Sequence, residues 1–377
     1  MKAHSIDELR EQARRRIPRV IFDFMDGGAG HESGLRHNTA ALDAIRLRPR
    51  ALVNTEVVET ETELLGRRWA APIGVAPVGL TNLIWPGGDE AVALTAAEMG
   101  LPYTLSTAGT TSIERIGEVA PGSWFQLYVA KSEEVVVDLI ARADRAGFDA
   151  LVVTVDVPRP SRRLRDLRNG FQLPLKPRPS LVMDIASRPR WALETLRNGV
   201  PRFASIERYA PPKSSAQSLA AYMSSQSSAR LDWDVVRQIR RQWPRKLVLK
   251  GIQSADDAVR ARDEGVDAIV VSNHGGRQVE SAMATIDSLI EIRAAVGPDF
   301  TVIFDSGVRN GEHVAKALAC GANFVLVGRA AMYGLAAGGK AGVRHALGLL
   351  IDELAIAMAH LGVTTPAALD RGHVAIP

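Results

Sequence analysis

Apolar residues along this chain gather into eight short runs, and each run ends in residues that can do chemistry. In order, 71–76 leads into Pro77, Val78 and Gly79; 103–105 into Ser106; 124–125 into Gln126 and Tyr128; and 151–153 into Thr154 and Asp156. The second four are 247–249 ending at Lys250, 268–271 before Ser272 and His274, 301–304 before Asp305, and 324–327 before Gly328 and Arg329. Uniformly apolar runs of this length suit strands buried on both faces. Amphipathic stretches of helical length at 89–99, 132–146, 255–264, 284–296 and 312–319 separate many of them. The alternation predicts an α/β fold, a (β/α)8 TIM barrel, whose site lies at the C-terminal ends of the strands.

The 377 residues exceed the ~250 of a plain barrel, yet the alternation runs to the end with no polar linker, which predicts a single domain with additions. One addition is N-terminal: Ser5-Ile6-Asp7-Glu8 has the form of a capping box and opens a charged helix expected to run to about Ile17, where Pro18 disrupts it. The other is a long insertion after the fourth strand, 157–230, which is either a lid or a docking surface.

A net charge of +4 is compatible with anionic partners. The basic residues are dispersed, however, and with five tyrosines and six tryptophans the chain does not have the pattern of a nucleic-acid binder. The single cysteine, Cys320, rules out a disulfide framework; an inert core thiol in a reducing compartment is expected. The first twenty residues carry five arginines and no apolar core of a signal peptide, and no uninterrupted apolar stretch is long enough to span a bilayer. Two glycine-rich runs are set aside. The run 334–341 has Ala341 where a phosphate-binding loop needs a hydroxyl, and reads as a connection before the C-terminal helix. The run 27–30 lacks the third glycine of a dinucleotide fingerprint and follows no buried strand.

At the strand ends the signal sharpens. Ser272-Asn273-His274-Gly275-Gly276-Arg277-Gln278 sets an imidazole and a guanidinium three residues apart, a candidate base and an anion clamp, beside two glycines expected to let the backbone approach a ligand. Asp305-Ser306-Gly307-Val308-Arg309 and Gly328-Arg329 end strands seven and eight, where barrels commonly bind phosphate; a phosphorylated cofactor is expected. Lys250 closes strand five, where an unpaired ammonium is costly, so it is expected to face a ligand anion or, as a Schiff-base former, a carbonyl carbon. No metal site is indicated.

These motifs, together with Gln126-Leu127-Tyr128, Thr154-Val155-Asp156 and Lys250-Gly251, resemble the FMN-dependent (S)-2-hydroxy-acid dehydrogenase and oxidase family, over essentially the whole chain. The resemblance implies FMN held by Pro77, Val78, Gly79, Ser106, Gln126, Thr154 and Ser272, with Asp305 on the ribityl chain, Gly307, Arg309, Gly328 and Arg329 on the phosphate, and Lys250 beside the N1–C2 edge. It further implies Arg163 and Arg277 on the substrate carboxylate, Tyr128 on the oxygen that becomes the keto group, His274 as base and Asp156 as its orienting carboxylate. Within the family the likeness is greatest to the membrane-associated mandelate dehydrogenase branch, through Ser106-Thr107-Ala108, Trp85-Pro86 and the insertion around Pro189-Arg190-Trp191. Ala108 stands where glycolate oxidases carry tryptophan and leaves room for a bulky substituent.

Phe24 departs from the family pattern, which has a tyrosine that bonds the carboxylate, so a bulky substrate other than mandelate remains open. Gly79, where oxidases often have alanine, points to an acceptor other than oxygen. The segment 172–215 carries eight Lys or Arg against three acids, interleaved with Leu181, Val182, Met183, Ile185, Trp191, Leu193 and Leu196. That composition suits an anionic bilayer surface. The expectation is a cytoplasmic dehydrogenase, peripheral on the inner face of the cell membrane, that passes electrons to a quinone; the family implies a homo-oligomer, a tetramer. The alternatives are a soluble oxidase making hydrogen peroxide and a non-catalytic barrel that binds a phosphate ligand or membrane.

Overall fold

The computed structural model describes residues 2–171, 178–199, 201–209 and 231–376. Its eight central strands are β1 (Ile73–Val75), β2 (Thr104–Ser106), β3 (Trp124–Leu127), β4 (Ala150–Thr154), β5 (Lys246–Ile252), β6 (Ala268–Val271), β7 (Thr301–Phe304) and β8 (Phe324–Val327). They pair in parallel in chain order, β1 pairs with β8, and a bridge between Val75 and Tyr103 joins β1 to the start of β2, so the ring closes as a barrel. Side chains alternate between two cores, as the period of two in a strand requires. Trp124, Val152, Val248, Val270, Ile303, Phe324 and Leu326 fill the interior, while Phe125, Leu151, Val153, Leu249, Ile269 and Val325 pack outward beneath the helices. Both faces are dry, which explains why the runs are apolar throughout.

The expected helices form close to their sequence bounds, as Gly88–Glu98, Glu133–Arg145, Ala255–Asp263, Thr285–Val296 and Gly311–Ala319. A hairpin that the pattern did not announce, Thr62–Leu64 with Arg67–Trp69, sets Trp69 edge-on against Trp124, ring centroids 6.5 Å apart. Trp124 begins β3, so the hairpin plugs the end of the barrel opposite the strand C-termini.

The N-terminal helix spans Ile6–Arg16 and buries Ile6, Leu9 and Ala13 against the C-terminal helix Arg329–His360. Its capping box is half made: Ser5 Oγ accepts from the Glu8 amide, but the Glu8 carboxylate accepts from the His4 amide rather than that of Ser5. Pro18 separates it from a second helix, Arg19–Asp26. Within the run 334–341, Gly338 and Gly339 leave helical geometry, so the span Arg329–His360 is two helices joined across a kink and the glycines form the connection before the C-terminal one. Cys320 is buried and caps the helix Gly311–Ala319, and burial pushes its thiol up to about 11, consistent with an inert core group.

The insertion is partly helical, with Leu164–Asn169, Pro179–Ala186 and Pro189–Asn198, and a short 3-10 turn at Glu207–Tyr209. Proline at the first turn of the second and third helices fits a position whose amide has no helical partner. Trp191 is buried and its Nε1 donates to Leu83 O (3.0 Å); Arg16 pairs with Glu194 (3.0 Å) and stacks over Trp85. Met183, Val182, Leu193 and Leu196 instead face solvent, 73%, 55%, 47% and 81% exposed. The insertion therefore both packs on the barrel and presents an apolar surface. Residues 172–177 and 210–230 of it, including Lys176 and Lys213, lie outside the described residues.

Candidate active site

A cavity of about 830 Å³ opens at the C-terminal ends of the strands. Of the residues expected at the site, Phe24, Pro77, Val78, Gly79, Ser106, Ala108, Tyr128, Thr154, Arg163, Lys250, His274, Arg277, Asp305, Gly307, Arg309, Gly328 and Arg329 all line it. Gln126, Asp156 and Ser272 do not; they stand one layer behind. Gln126 Oε1 accepts from Ser106 Oγ (2.9 Å) and its Nε2 donates to Thr154 Oγ1 (2.9 Å), so it fixes the polar ends of β2 and β4. Ser272 Oγ accepts from Lys250 Nζ (2.8 Å) and from the His274 amide (3.1 Å). Both follow inward-facing residues of their strands, Trp124 and Val270, by two positions, so the pleat aims them at the same end of the barrel interior as Ser106, Thr154 and Lys250.

His274 adopts a left-handed backbone conformation (φ 58°), an arrangement that costs a non-glycine residue energy and that surrounding contacts must hold. Its Nδ1 lies 3.1 Å from Asp156 Oδ1. Burial pushes the Asp156 carboxyl up, but His274 and then Lys250 outweigh burial and keep it below its usual range, so it is a carboxylate that can only accept. The Nδ1 of His274 therefore carries a hydrogen toward Asp156, and Nε2 lies 3.4 Å from Tyr128 Oη. Burial, with Asp156 next, raises the Tyr128 hydroxyl well above its ordinary value, so it stays a donor.

Lys250 has a partner that sequence reasoning did not offer. Its ammonium, which lines the cavity, pairs with the Asp305 carboxylate, with Nζ 3.0 Å from Oδ2. Burial works to lower its pKa, but Asp305 and Asp156 outweigh it and raise the value; a Schiff-base lysine needs the opposite shift. The next residue, Gly251, sits at a bulge in β5 with φ 107°, and a Cβ there would lie 2.6 Å from Asp156. Glycine is required for the bulge and for Asp156 to reach His274.

The glycines after His274 sit in close quarters, and Gly275 also lines the cavity. A Cβ on Gly275 would strike the Arg329 guanidinium (2.6 Å), and one on Gly276 the Leu35 backbone (2.5 Å), so both positions admit close approach of protein groups. Arg329 donates to the carbonyls of Gly275 (2.9 Å) and Gly27 (2.8 Å), while Arg277 donates to those of Phe24 (2.9 Å) and Gly27 (2.8 Å). Both arginines are thus anchored at the C-terminal end of the helix Arg19–Asp26, where free carbonyls and the helix dipole favour cations. Burial, then Arg163 and Arg329, lowers the Arg277 pKa well below the ordinary guanidinium value, the signature of positive charge awaiting an anion.

The cavity wall contains an aromatic stack. Arg163 and Arg277 each place a guanidinium carbon 5.3 Å from the Phe24 ring centroid, and Phe24 stacks on Phe171 at 4.3 Å. Phe171 escaped sequence reasoning because no motif surrounds it. Ser306, also missed, accepts from the Gly275 amide (3.0 Å) and donates to Asp305 (2.7 Å).

The donor set suits a phosphorylated, polar-edged planar cofactor. Ser106 and Thr154, the Lys250 ammonium, and Arg309 and Arg329 all line the one cavity. Arg329 Nε is buried there with no partner.

A closed barrel with an imidazole–carboxylate pair and four arginines, Arg163, Arg277, Arg309 and Arg329, around one cavity has the donor set of a flavin-dependent oxidoreductase. The chain belongs to the FMN-dependent dehydrogenase family, whose model matches residues 13–376. It is 38% identical to (S)-mandelate dehydrogenase of Pseudomonas putida over 359 residues, covering 95% of this chain and 90% of that protein. It is 41% identical to 4-hydroxymandelate oxidase of Amycolatopsis orientalis over 367 residues, 97% of each. The crystal structure of the monotopic membrane protein (S)-mandelate dehydrogenase superposes with a TM-score of 0.96 at 36% identity, covering 100% of both chains. The protein is an FMN-dependent 2-hydroxy-acid dehydrogenase or oxidase, and the non-catalytic reading falls away.

Proposed function

We propose that the chain oxidises a bulky, mandelate-like (S)-2-hydroxy acid to the 2-keto acid and passes the electrons to a membrane quinone. The observation that carries this reading is His274, oriented by Asp156 and facing a cavity that Arg163 and Arg277 also line. FMN, when bound, supplies the two-electron acceptor, held by Pro77, Val78, Gly79, Ser106, Thr154, Lys250, Asp305, Gly307, Arg309, Gly328 and Arg329 from the lining and braced by Gln126 and Ser272. Arg163 and Arg277 clamp the carboxylate, Tyr128 donates to the oxygen at C2, and His274 Nε2 takes one of the two protons the substrate gives up. Asp156 stabilises the imidazolium so formed, and Lys250 supplies fixed positive charge where negative charge develops. Anaerobic bleaching of the flavin by a panel of (S)-2-hydroxy acids tests the reading; a flavin that none of them bleaches overturns it.

Exposed Val182, Met183, Leu193 and Leu196 beside exposed Arg178, Arg190 and Arg197 support docking on an anionic membrane at the inner face of the cell membrane. Among the described residues no helix is long and apolar enough to cross a bilayer. Vesicle co-sedimentation of the parent and of a form with 172–215 replaced by a short polar linker tests this, and light scattering tests assembly as a tetramer. The Amycolatopsis relative named an oxidase keeps a second reading in view, reduction of oxygen to hydrogen peroxide, which oxygen consumption during turnover separates from the first.

A further inference from the structure

The cavity does not end at the substrate arginines. Beyond Ala108 and Val129 its wall is made by Val135 and Leu139 of the helix Glu133–Arg145 and by Phe203 and Ile206 of the returning insertion. These four side chains are at most 8% exposed, yet they border open space continuous with the cavity that holds His274. The wall is built rather than incidental. Arg142, on the same helix, donates to Ser205 O (2.6 Å) and Tyr209 Oη (3.1 Å) and forms a two-point ion pair with Glu114, and Tyr209 Oη donates to Asp138 (2.5 Å). The segment carrying Phe203 and Ile206 is therefore pinned to the helix carrying Val135 and Leu139.

Building on the proposed oxidation, we infer that this apolar arm receives the substituent on C2 of the substrate, and that Leu139 and Ile206 set its permitted length. Charge at one end and an apolar recess at the other orient a 2-hydroxy acid in one direction: the carboxylate goes to Arg163 and Arg277, and the side chain goes away from them. A methyl substituent leaves the recess unfilled, whereas an aryl ring or a linear alkyl chain releases water from it and gains affinity in proportion to the apolar area it buries. The substrate class is thus 2-hydroxy acids with an extended apolar side chain, and lactate is a poor member of it.

The test compares (S)-lactate, (S)-mandelate and (S)-2-hydroxyoctanoate in anaerobic flavin reduction by the FMN-loaded parent and by Leu139→Trp and Ile206→Trp, which fill the recess. The parent is expected to favour the two larger acids. Each filled variant is expected to lose at least tenfold in kcat/KM for 2-hydroxyoctanoate while its rate with lactate stays within threefold. Phe203→Ala, which enlarges the recess, shifts preference toward the longer chain and covers the case in which a tryptophan variant does not fold. A parent that prefers lactate, or filled variants that lose all three acids equally, overturns the inference. So does unchanged reduction coupled to slowed reoxidation by a soluble quinone, which would assign the recess to the acceptor. If no acid bleaches the flavin, the proposed oxidation fails first, and this inference with it.

Discussion

Lys250 and Asp305 form a buried ion pair at the ends of β5 and β7, with Nζ 3.0 Å from Oδ2 and both side chains under a tenth exposed. The pair gives Lys250 two separable tasks, balancing Asp305 and supplying charge to the cavity. Lys250→Met is expected to slow substrate-driven flavin reduction at least ~100-fold, the scale for loss of one preorganised electrostatic donor. It should also destabilise the protein, because Asp305 is left buried and unpaired. The double variant Lys250→Met/Asp305→Asn should recover stability in urea unfolding without recovering the reduction rate. Near-normal reduction in either variant would refute the catalytic task.

Asp156→Asn tests the tautomer argument. The amide can present its NH2 to His274 Nδ1 and so favour the wrong ring hydrogen, and it cannot stabilise an imidazolium. Flavin reduction should fall by about 10²–10⁴-fold, while binding of an unreactive enantiomer such as (R)-mandelate changes little, because Asp156 stands behind the lining. Loss of binding in proportion to rate would instead make Asp156 a structural support.

The barrel was legible because its strands are buried on both faces, which leaves a repeating apolar run, and because strand ends concentrate the chemistry. What escaped depends on distance through space. Nothing in the spacing of Lys250 and Asp305 joins them, since β5 and β7 are separated in the sheet by β6. Gly251 reads as an ordinary strand glycine until the bulge brings Asp156 against it. Phe171 lies in a motif-free insertion, and the Trp69 hairpin is two strands of three residues, too short for a period to register.

Asp26 ties the N-terminal segment to the arginine anchors. It accepts from Arg10 (2.7 and 2.8 Å), Arg165 (2.7 Å) and Tyr333 Oη (2.7 Å). Burial pushes its carboxyl up, but the hydrogen bonds from Arg10, Tyr333 and Arg165 outweigh burial and hold it well below the usual range. A depressed folded-state pKa gives stability that is full above about pH 4 and lost as pH falls through the folded value. Asp26→Asn should therefore cost about 2–4 kcal/mol near pH 7, toward the lower end of a broken buried pair because Arg10 is 37% exposed. The difference from the parent should shrink as the pH is lowered below 4. Urea unfolding at several pH values checks both, and a pH-independent difference would contradict the assignment.

Phe24 is the departure that bears most on substrate, and its surroundings sharpen the test. The guanidinium carbons of Arg163 and Arg277 each lie 5.3 Å from its ring centroid, and the ring is stacked on Phe171. In this arrangement it holds the two arginines by their attraction to the ring face, worth ~0.5–2 kcal/mol each, without itself bonding the carboxylate. Phe24→Leu should remove that hold and weaken (R)-mandelate binding by roughly tenfold, read from the flavin spectrum without turnover. Phe24→Tyr keeps the ring face and adds a donor. If the carboxylate sits between the arginines, a bond to a charged acceptor is worth ~1.5–3 kcal/mol, about tenfold to a hundredfold tighter binding. Against this stands the ~1–3 kcal/mol that overpacking costs where the stack with Phe171 resists a larger side chain. The donor term is expected to win for mandelate, because the ring is only half-buried and has room to shift. Weaker binding in Phe24→Tyr, together with a preference of the parent for acids larger than mandelate, would make Phe24 a selector for those substrates and would end the mandelate assignment.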